Sequence, residues 1–417
     1  MSQITTQSFS VNGLSYACPP THIAVICLDG SADEYLDAAM AVGKMPNLQQ
    51  FGISGWRGFA RGAMPSFTNV NNAAIVTGVP PSKHGIGGNF FYDTTNDREV
   101  MMNSAQYLRA ETIFPHAARA GRKMAVVTAK EKLRDIFASG LIEVGGIAFS
   151  SEKANLAQKA THGIDNVPQM VGRPAPQIYS GDASIYVLQA GVALLKNGLA
   201  DFLYLSTTDY IQHKFAPHEP EAIEFYAGID IAIGQLLSLG AVVGVTADHG
   251  MNAKQNPDGS PNVIYLETVL TERFGAGFRV ILPITDPYVA HHGALGSFAT
   301  VHLPPGCPSQ EVSAWLMEFP GITEIFDRTV AARKLELPAD RIGDLVVMSG
   351  RNVVIGRTPE HHDLREVQTG LRSHGGRYEE MVPFLFSKSL KDDYKARAMA
   401  DPRNFDVFDF TLNGLKP

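Results

Sequence analysis

The sequence predicts an α/β protein: a mainly parallel central sheet with helices on both faces, plus a smaller α+β cap. Three observations carry this. First, residues 22–28, 123–129, 202–206 and 241–246 are short, β-branched apolar runs without polar alternation, the pattern of strands buried on both faces. Second, helix-compatible stretches lie between them, which favours parallel pairing through crossovers. Third, each run ends on residues able to do chemistry: Asp29-Gly30, Lys130-Glu131-Lys132, Asp209 to His213, and Asp248-His249. In open α/β sheets ligands bind just beyond the carboxyl ends of strands.

The remaining elements follow in order. Residues 33–42 and 46–53 read as helices, Pro46 suiting a first turn, and residues 56–61 read as a strand. Pro65 and Ser66 mark a loop that feeds a helix over 69–76, stopped at Thr77-Gly78. This sets Thr68 at or beside a helix N-terminus, where unpaired N–H groups favour a phosphate; taken alone, Thr68 also reads as an ordinary N-cap. Residues 79–92 form a turn-rich loop, with His84 anchoring it and Asn89 beside two glycines that let backbone approach a ligand. Residues 140–178 are weakly patterned and are assigned to loops and short helices. Helices are expected over 182–195 and 219–239. Strands over 278–282, 298–303 and 345–355 and a helix over 309–318 suggest an inserted cap. The core resumes at 373–376 and the strand 382–386. The expected division is therefore a core of residues 1–264 and 361–417 with a cap of residues 265–360.

Composition narrows the function. The chain has 417 residues, 45% hydrophobic and 18% charged, with a net charge of −7. No basic field is available for nucleic acid or an anionic membrane, so an anionic substrate must be held by metals or a few placed cations. Cys18, Cys27 and Cys307 lack metal or redox spacing and read as reduced. Neither a secretory signal nor an apolar run long enough to span a membrane is present, so a cytoplasmic protein is expected.

The strand-end groups form a set. Asp29, Asp209, His213, Asp248 and His249 follow strands, and His374 sits in a Gly-rich loop just before one. Asp209 and His213 share a helix face at i, i+4. Carboxylate plus imidazole ligation fits zinc, with manganese or iron as rivals. Two such metals about 4 Å apart would clamp a phosphoryl displacement and activate the Thr68 hydroxyl.

Leu-Asp-Gly at 28–30, Pro-Ser-Phe-Thr-Asn at 65–69 and Thr-Gly-Val-Pro-Pro-Ser-Lys-His-Gly-Ile at 77–86 extend this set. With Asp-x-x-x-His at 209–213, Ala-Asp-His-Gly-Met at 247–251 and Ser-His-Gly at 373–375, they resemble the alkaline phosphatase superfamily. Within it they are most similar to the nucleotide pyrophosphatase/phosphodiesterase branch. The resemblance implies an alkaline phosphatase-like fold with two zinc ions per chain. Asp29, Thr68, Asp248 and His249 would hold one ion, and Asp209, His213 and His374 the other, with Thr68 the covalent nucleophile. The Thr nucleophile, Gly-Gly-Asn-Phe-Phe-Tyr-Asp at 87–93 and Thr-Ala-Lys-Glu-Lys at 128–132 resemble the carbon–phosphorus hydrolases of that branch. This implies hydrolysis of phosphonoacetate to acetate and phosphate through a phospho-Thr68 intermediate. Asn89 would stabilise phosphoryl oxygens, and Lys130 and Lys132 the substrate carboxylate. Asp29, Asp209, His213 and His374 would line the same pocket. In extended chain the i, i+2 spacing of the two lysines points both the same way; without the resemblance they read as a solvated pair around Glu131.

Other readings remain open: a phosphodiesterase or nucleotide pyrophosphatase of the same fold, a metal-dependent phosphotransferase, or a metal-binding module without catalysis. The expected partner is a small anionic substrate, with no nucleic acid and no membrane; a homodimer is one assembly open to the chain. His218, His291, His292, His361 and His362 are read as structural or surface residues.

Overall fold

Residues 8–177, 179–285, 293–365, 367–368 and 370–417 are described by the structure, a computed structural model. Seven strands make the central sheet: β1 (Ile23–Cys27), β2 (Trp56–Arg61), β3 (Met124–Thr128), β4 (Ile147–Ser150), β5 (Phe202–Ser206), β6 (Val242–Thr246) and β7 (Met381–Phe386). Their order across the sheet is β2-β7-β6-β1-β5-β3-β4. From β6 to β4 every neighbour is parallel, whereas β7 runs antiparallel to both β6 and β2.

The missing alternation now has its physical reason. Along β1 and the residue after it, Ile23, Val25 and Cys27 join one apolar cluster while Ala24, Ile26 and Leu28 join another on the opposite face. Met124/Val126 against Ala125/Val127, and Phe202/Tyr204 against Leu203/Leu205, divide the same way. Each large side chain so buried contributes roughly 1.5–3 kcal/mol, on whichever face it lies. Helices Gly181–Lys196 and Pro220–Ser238 cover the second face; helices Thr68–Thr77 and Val407–Asn413 cover the first.

A second, four-stranded antiparallel sheet joins Arg279–Ile281, Phe298–His302, Leu345–Ser349 and Ile322–Asp327. Its helix Ser309–Met317 matches expectation. Its apolar residues, among them Val280, Phe298, Val301 and Val346, are continuous with the first-face cluster of the central sheet.

Several expectations need correction. Residues 140–178 hold an edge strand, β4, and not only loops and short helices. The run 345–355 is two strands, Leu345–Ser349 and Val354–Gly356, the second paired in parallel with Val263–Tyr265. The loop over 79–92 contains a helical turn at Pro81–His84 and a strand at Phe90–Asp93. Lys130 is the extended residue before helix Glu131–Phe137, so Lys132 is already helical. The extended-chain geometry inferred for the two lysines therefore does not hold.

Candidate metal centre

Four neighbouring parallel strands deliver their carboxyl ends to one place. β6 leads to Asp248 and His249, β1 to Asp29, β5 to Asp209 and β3 to Lys130. Gly30 turns the chain after β1 at φ 71°, and a Cβ there would sit 2.7 Å from that of Asp209. Only glycine allows this approach of β1's exit to β5's.

Thr68 opens the helix Thr68–Thr77, preceded by extended Phe67 and closed by left-handed Gly78. It is the first helical residue, and the cap is Phe67. Thr68 Oγ1 lies 3.2 Å from His249 Nε2. His374 enters from the loop before β7, where Gly375 at φ 114° packs so close to Phe67 that a Cβ would collide with its ring. His213 sits one turn after Asp209, its Nε2 3.0 Å from Asp209 Oδ2.

All three imidazoles are oriented in the same manner. Nδ1 of His213, His249 and His374 lies 2.8, 2.9 and 2.8 Å from the carbonyls of Arg372, Gly250 and Ser66. A carbonyl only accepts, so each Nδ1 carries a proton and each Nε2 is the ring nitrogen turned toward the site. His249 and His374 rings stack at 3.6 Å with 5° between planes. Ligand atoms of Asp209, His249 and His374 lie within 4.8 Å of one another, as do those of Asp29, Asp248 and His249.

Asp29, Asp209 and Asp248 are all buried. Burial, together with the Asp209 and Asp248 carboxylates, pushes the Asp29 pKa well up. Burial also opposes charge on Asp209, but Lys130, His213 and His249 outweigh it and hold its pKa well down. For His249 burial is outweighed by Asp248, Asp29 and Asp209, which hold its pKa up at about 10. Burial and the neighbouring His249 and His213 keep His374 well below the usual imidazole range. Both carboxylate oxygens of Asp29 are buried without a hydrogen bond; His249 Nε2 is 3.3 Å from Oδ1. Three buried carboxylates facing three Nε2 nitrogens, one of which they hold protonated, form a donor set that cations would complete, so the residues fit divalent metals.

Lys130 Nζ is 3.5 Å from Asp209 Oδ1 and its side chain is 14% exposed, which sets it at the rim of this cluster. Half-buried Lys132 follows on the next helix. Asn89 leads into the hairpin Phe90–Asp93/Arg98–Met101. Its backbone bonds Pro283 and Met102, and its Oδ1 is buried without a hydrogen bond. Met102 in turn accepts from Asn69 Nδ2, next to Thr68.

One positioning residue had no sequence signal. Asn72 donates to Asp248 Oδ2 at 2.9 Å and accepts from Tyr204 and Ser206, fixing the carboxylate against the Thr68 helix. A fully polar side chain inside a buried helix is a hint in retrospect, but its partners come from distant strands.

The other described histidines join no candidate metal cluster. His218 and His361 are exposed. Both ring nitrogens of His362 are used, by Gly293 and Arg357. His291 and His292 lie outside the described residues. His84 is a buried loop anchor whose Nδ1 accepts from the Ile86 N–H. Burial and Arg341 hold its pKa down at about 3. Between about 3 and the ordinary value near 6.5 the unfolded chain binds a proton that the folded chain refuses. This group's contribution is thus fully favourable above 6.5 and falls as pH drops toward 3. We expect His84→Asn, which keeps an acceptor for Ile86, to flatten that limb in urea unfolding of metal-free protein at stepped pH. An unchanged slope would contradict the assignment.

Comparison with known proteins agrees with the resemblance read from the motifs. The profile of type I phosphodiesterase / nucleotide pyrophosphatase matches residues 23–377, and the chain belongs to that family, within the alkaline phosphatase superfamily. The fold is alkaline phosphatase-like, as expected. The particular likeness is to phosphonoacetate hydrolase from Sinorhizobium meliloti 1021. Its complex with phosphonoformate is 47% identical, covers 99% of both chains and has a TM-score of 0.93. Its complex with phosphonoacetate gives 46% identity at the same coverage and TM-score. Murine ectonucleotide pyrophosphatase / phosphodiesterase 5 in complex with AMP, at 15% identity, 95% and 96% coverage and TM-score 0.59, shares the fold. Among the described residues no helix is long and apolar enough to cross a membrane.

Proposed function

We propose that this chain is a di-zinc hydrolase that cleaves the C–P bond of phosphonoacetate to acetate and phosphate. The observation that carries the reading is the convergence of Asp29, Asp209, Asp248, His213, His249 and His374 around Thr68 at the ends of neighbouring strands. The likeness to phosphonoacetate hydrolase supports the substrate. Asp29, Thr68, Asp248 and His249 would hold one ion, and Asp209, His213 and His374 the other. When bound, such ions supply Lewis acidity toward the phosphoryl oxygens and the Thr68 hydroxyl.

The chain's own residues do the rest. Thr68 Oγ1 releases its proton to solvent and attacks phosphorus, forming phosphothreonine as the P–C bond breaks. The electron pair leaves on the methylene carbon, which its carboxylate delocalises, and water protonates it to acetate. Water then hydrolyses phosphothreonine to phosphate and restores Thr68. Lys130 and Lys132 hold the carboxylate as its charge grows, an interaction strongest in the transition state. Asn89 donates to a phosphoryl oxygen. The reading includes a cytoplasmic location and leaves a homodimer open.

Metal content tests the cofactor directly. We expect chelation to remove activity and zinc to restore it, with two ions per chain by elemental analysis. Loss of one ion is expected in His213→Ala or His374→Ala, and of the other in Asp248→Ala or His249→Ala. A single ion in the native protein, or full activity without metal, would overturn the mechanism. Assaying phosphonoacetate beside a p-nitrophenyl phosphodiester, each with an added alcohol acceptor, tests the substrate. The reading requires phosphonoacetate to be the better substrate and water the acceptor.

A further inference from the structure

A buried ion pair outside the proposed ligand set ties the metal-site loops together. Lys254 and Glu379 are both fully buried, with Nζ 2.8 Å from Oε1. Burial draws the Lys254 pKa down despite Glu379's pull. Such a pair is weak evidence of stabilisation, because two charges lose their hydration and apolar residues often replace them without loss. What it holds is more telling.

Every acceptor of Glu379 is used on a site loop. Oε1 accepts from Lys254 and from Asn252 Nδ2 at 2.6 Å, and Oε2 accepts from the Gly376 N–H at 3.0 Å. Its backbone carbonyl accepts from the Gly250 N–H at 2.8 Å, next to His249. Lys254 reaches the Arg351 carbonyl at 2.7 Å, and its own N–H bonds the Leu371 carbonyl. Between these ties Asn252–Ala253 pairs antiparallel with Arg372–Ser373, the residues just before His374.

Each imidazole is referenced to this unit. His249 Nδ1 is held by the Gly250 carbonyl, and His213 Nδ1 by the Arg372 carbonyl. His374 is held by Ser66, whose N–H and hydroxyl bond the Gly375 and Gly376 carbonyls. That last link also fixes the loop leading into Thr68.

We propose that Lys254 and Glu379 are positioning residues for the metal centre, clamping the 248–250 and 373–376 loops so that His249 and His374 meet at stacking distance. This deepens the proposed function and rests on it. Outer residues that orient ligands typically change metal affinity by about 10- to 100-fold.

The test is zinc titration of refolded, metal-free protein against a chromophoric chelator, read beside thermal unfolding and the visible spectrum of the cobalt-loaded form. Lys254→Met/Glu379→Gln removes both charges and keeps the volume. Glu379→Asp keeps the charge pair but is too short to span Lys254 and Gly376, and guards against a double variant that does not fold. In the folded variants we expect zinc dissociation constants raised about tenfold or more, with an altered cobalt spectrum. A folded Glu379→Asp or double variant that binds zinc at native affinity with an unchanged cobalt spectrum, whatever its thermal stability, would overturn the proposal. If the native protein itself takes up no zinc, the proposed function fails instead.

Discussion

Thr68→Ala is expected to abolish turnover of phosphonoacetate while leaving the fold and most of the metal uptake in place. Removing a covalent nucleophile costs on the order of 10⁴-fold or more. The structural cost is small because Thr68 is not the cap of its helix, and alanine is the better helix former. The helix is held by its wholly buried sequence and by Asn71, whose side chain bonds Ala63 on both sides. Thr68→Ser should keep part of the rate, since the hydroxyl survives and only the methyl that restricts χ1 is lost. Acid quenching during turnover should find phosphate on Thr68 in the native enzyme and none in the alanine variant. Unimpaired hydrolysis by Thr68→Ala would favour direct attack by water.

The second large effect separates the two lysines. Lys132→Ala should lower hydrolysis of phosphonoacetate by about 10²-fold or more through lost stabilisation of the departing carbanion. An activated aryl phosphate ester, whose leaving group needs no such help, should lose far less. Lys130→Ala should damage both substrates, phosphonoacetate more severely. Lys130 stands 3.5 Å from Asp209 and helps keep that carboxylate ionised, so its loss also disturbs a proposed ligand. Equal losses on both substrates in Lys132→Ala would return the phosphodiesterase reading to first place.

Much of the site was legible because strand ends are legible. Asp29, Asp209 and Asp248 each follow an unbroken apolar run, and a parallel sheet must bring such ends together. Strand direction carries no such mark: nothing in residues 382–386 distinguishes the antiparallel β7 from its neighbours. β4 escaped notice because it has four residues, is preceded by Gly145-Gly146, and sits in a stretch of turns. The lysine geometry failed because the chain turns helical immediately after β3. Asn72 and the Lys254–Glu379 pair were beyond reach for another reason. Their meaning lies in partners more than a hundred residues away, and a polar residue's partner is set by the finished fold.

The most direct test follows phosphonoacetate by phosphorus and proton NMR with the zinc-reconstituted protein. The account predicts that the phosphonate resonance gives way to inorganic phosphate, with acetate appearing in equal amount and none formed after chelation. A phosphonate signal that persists while the same preparation consumes a phosphodiester would contradict it.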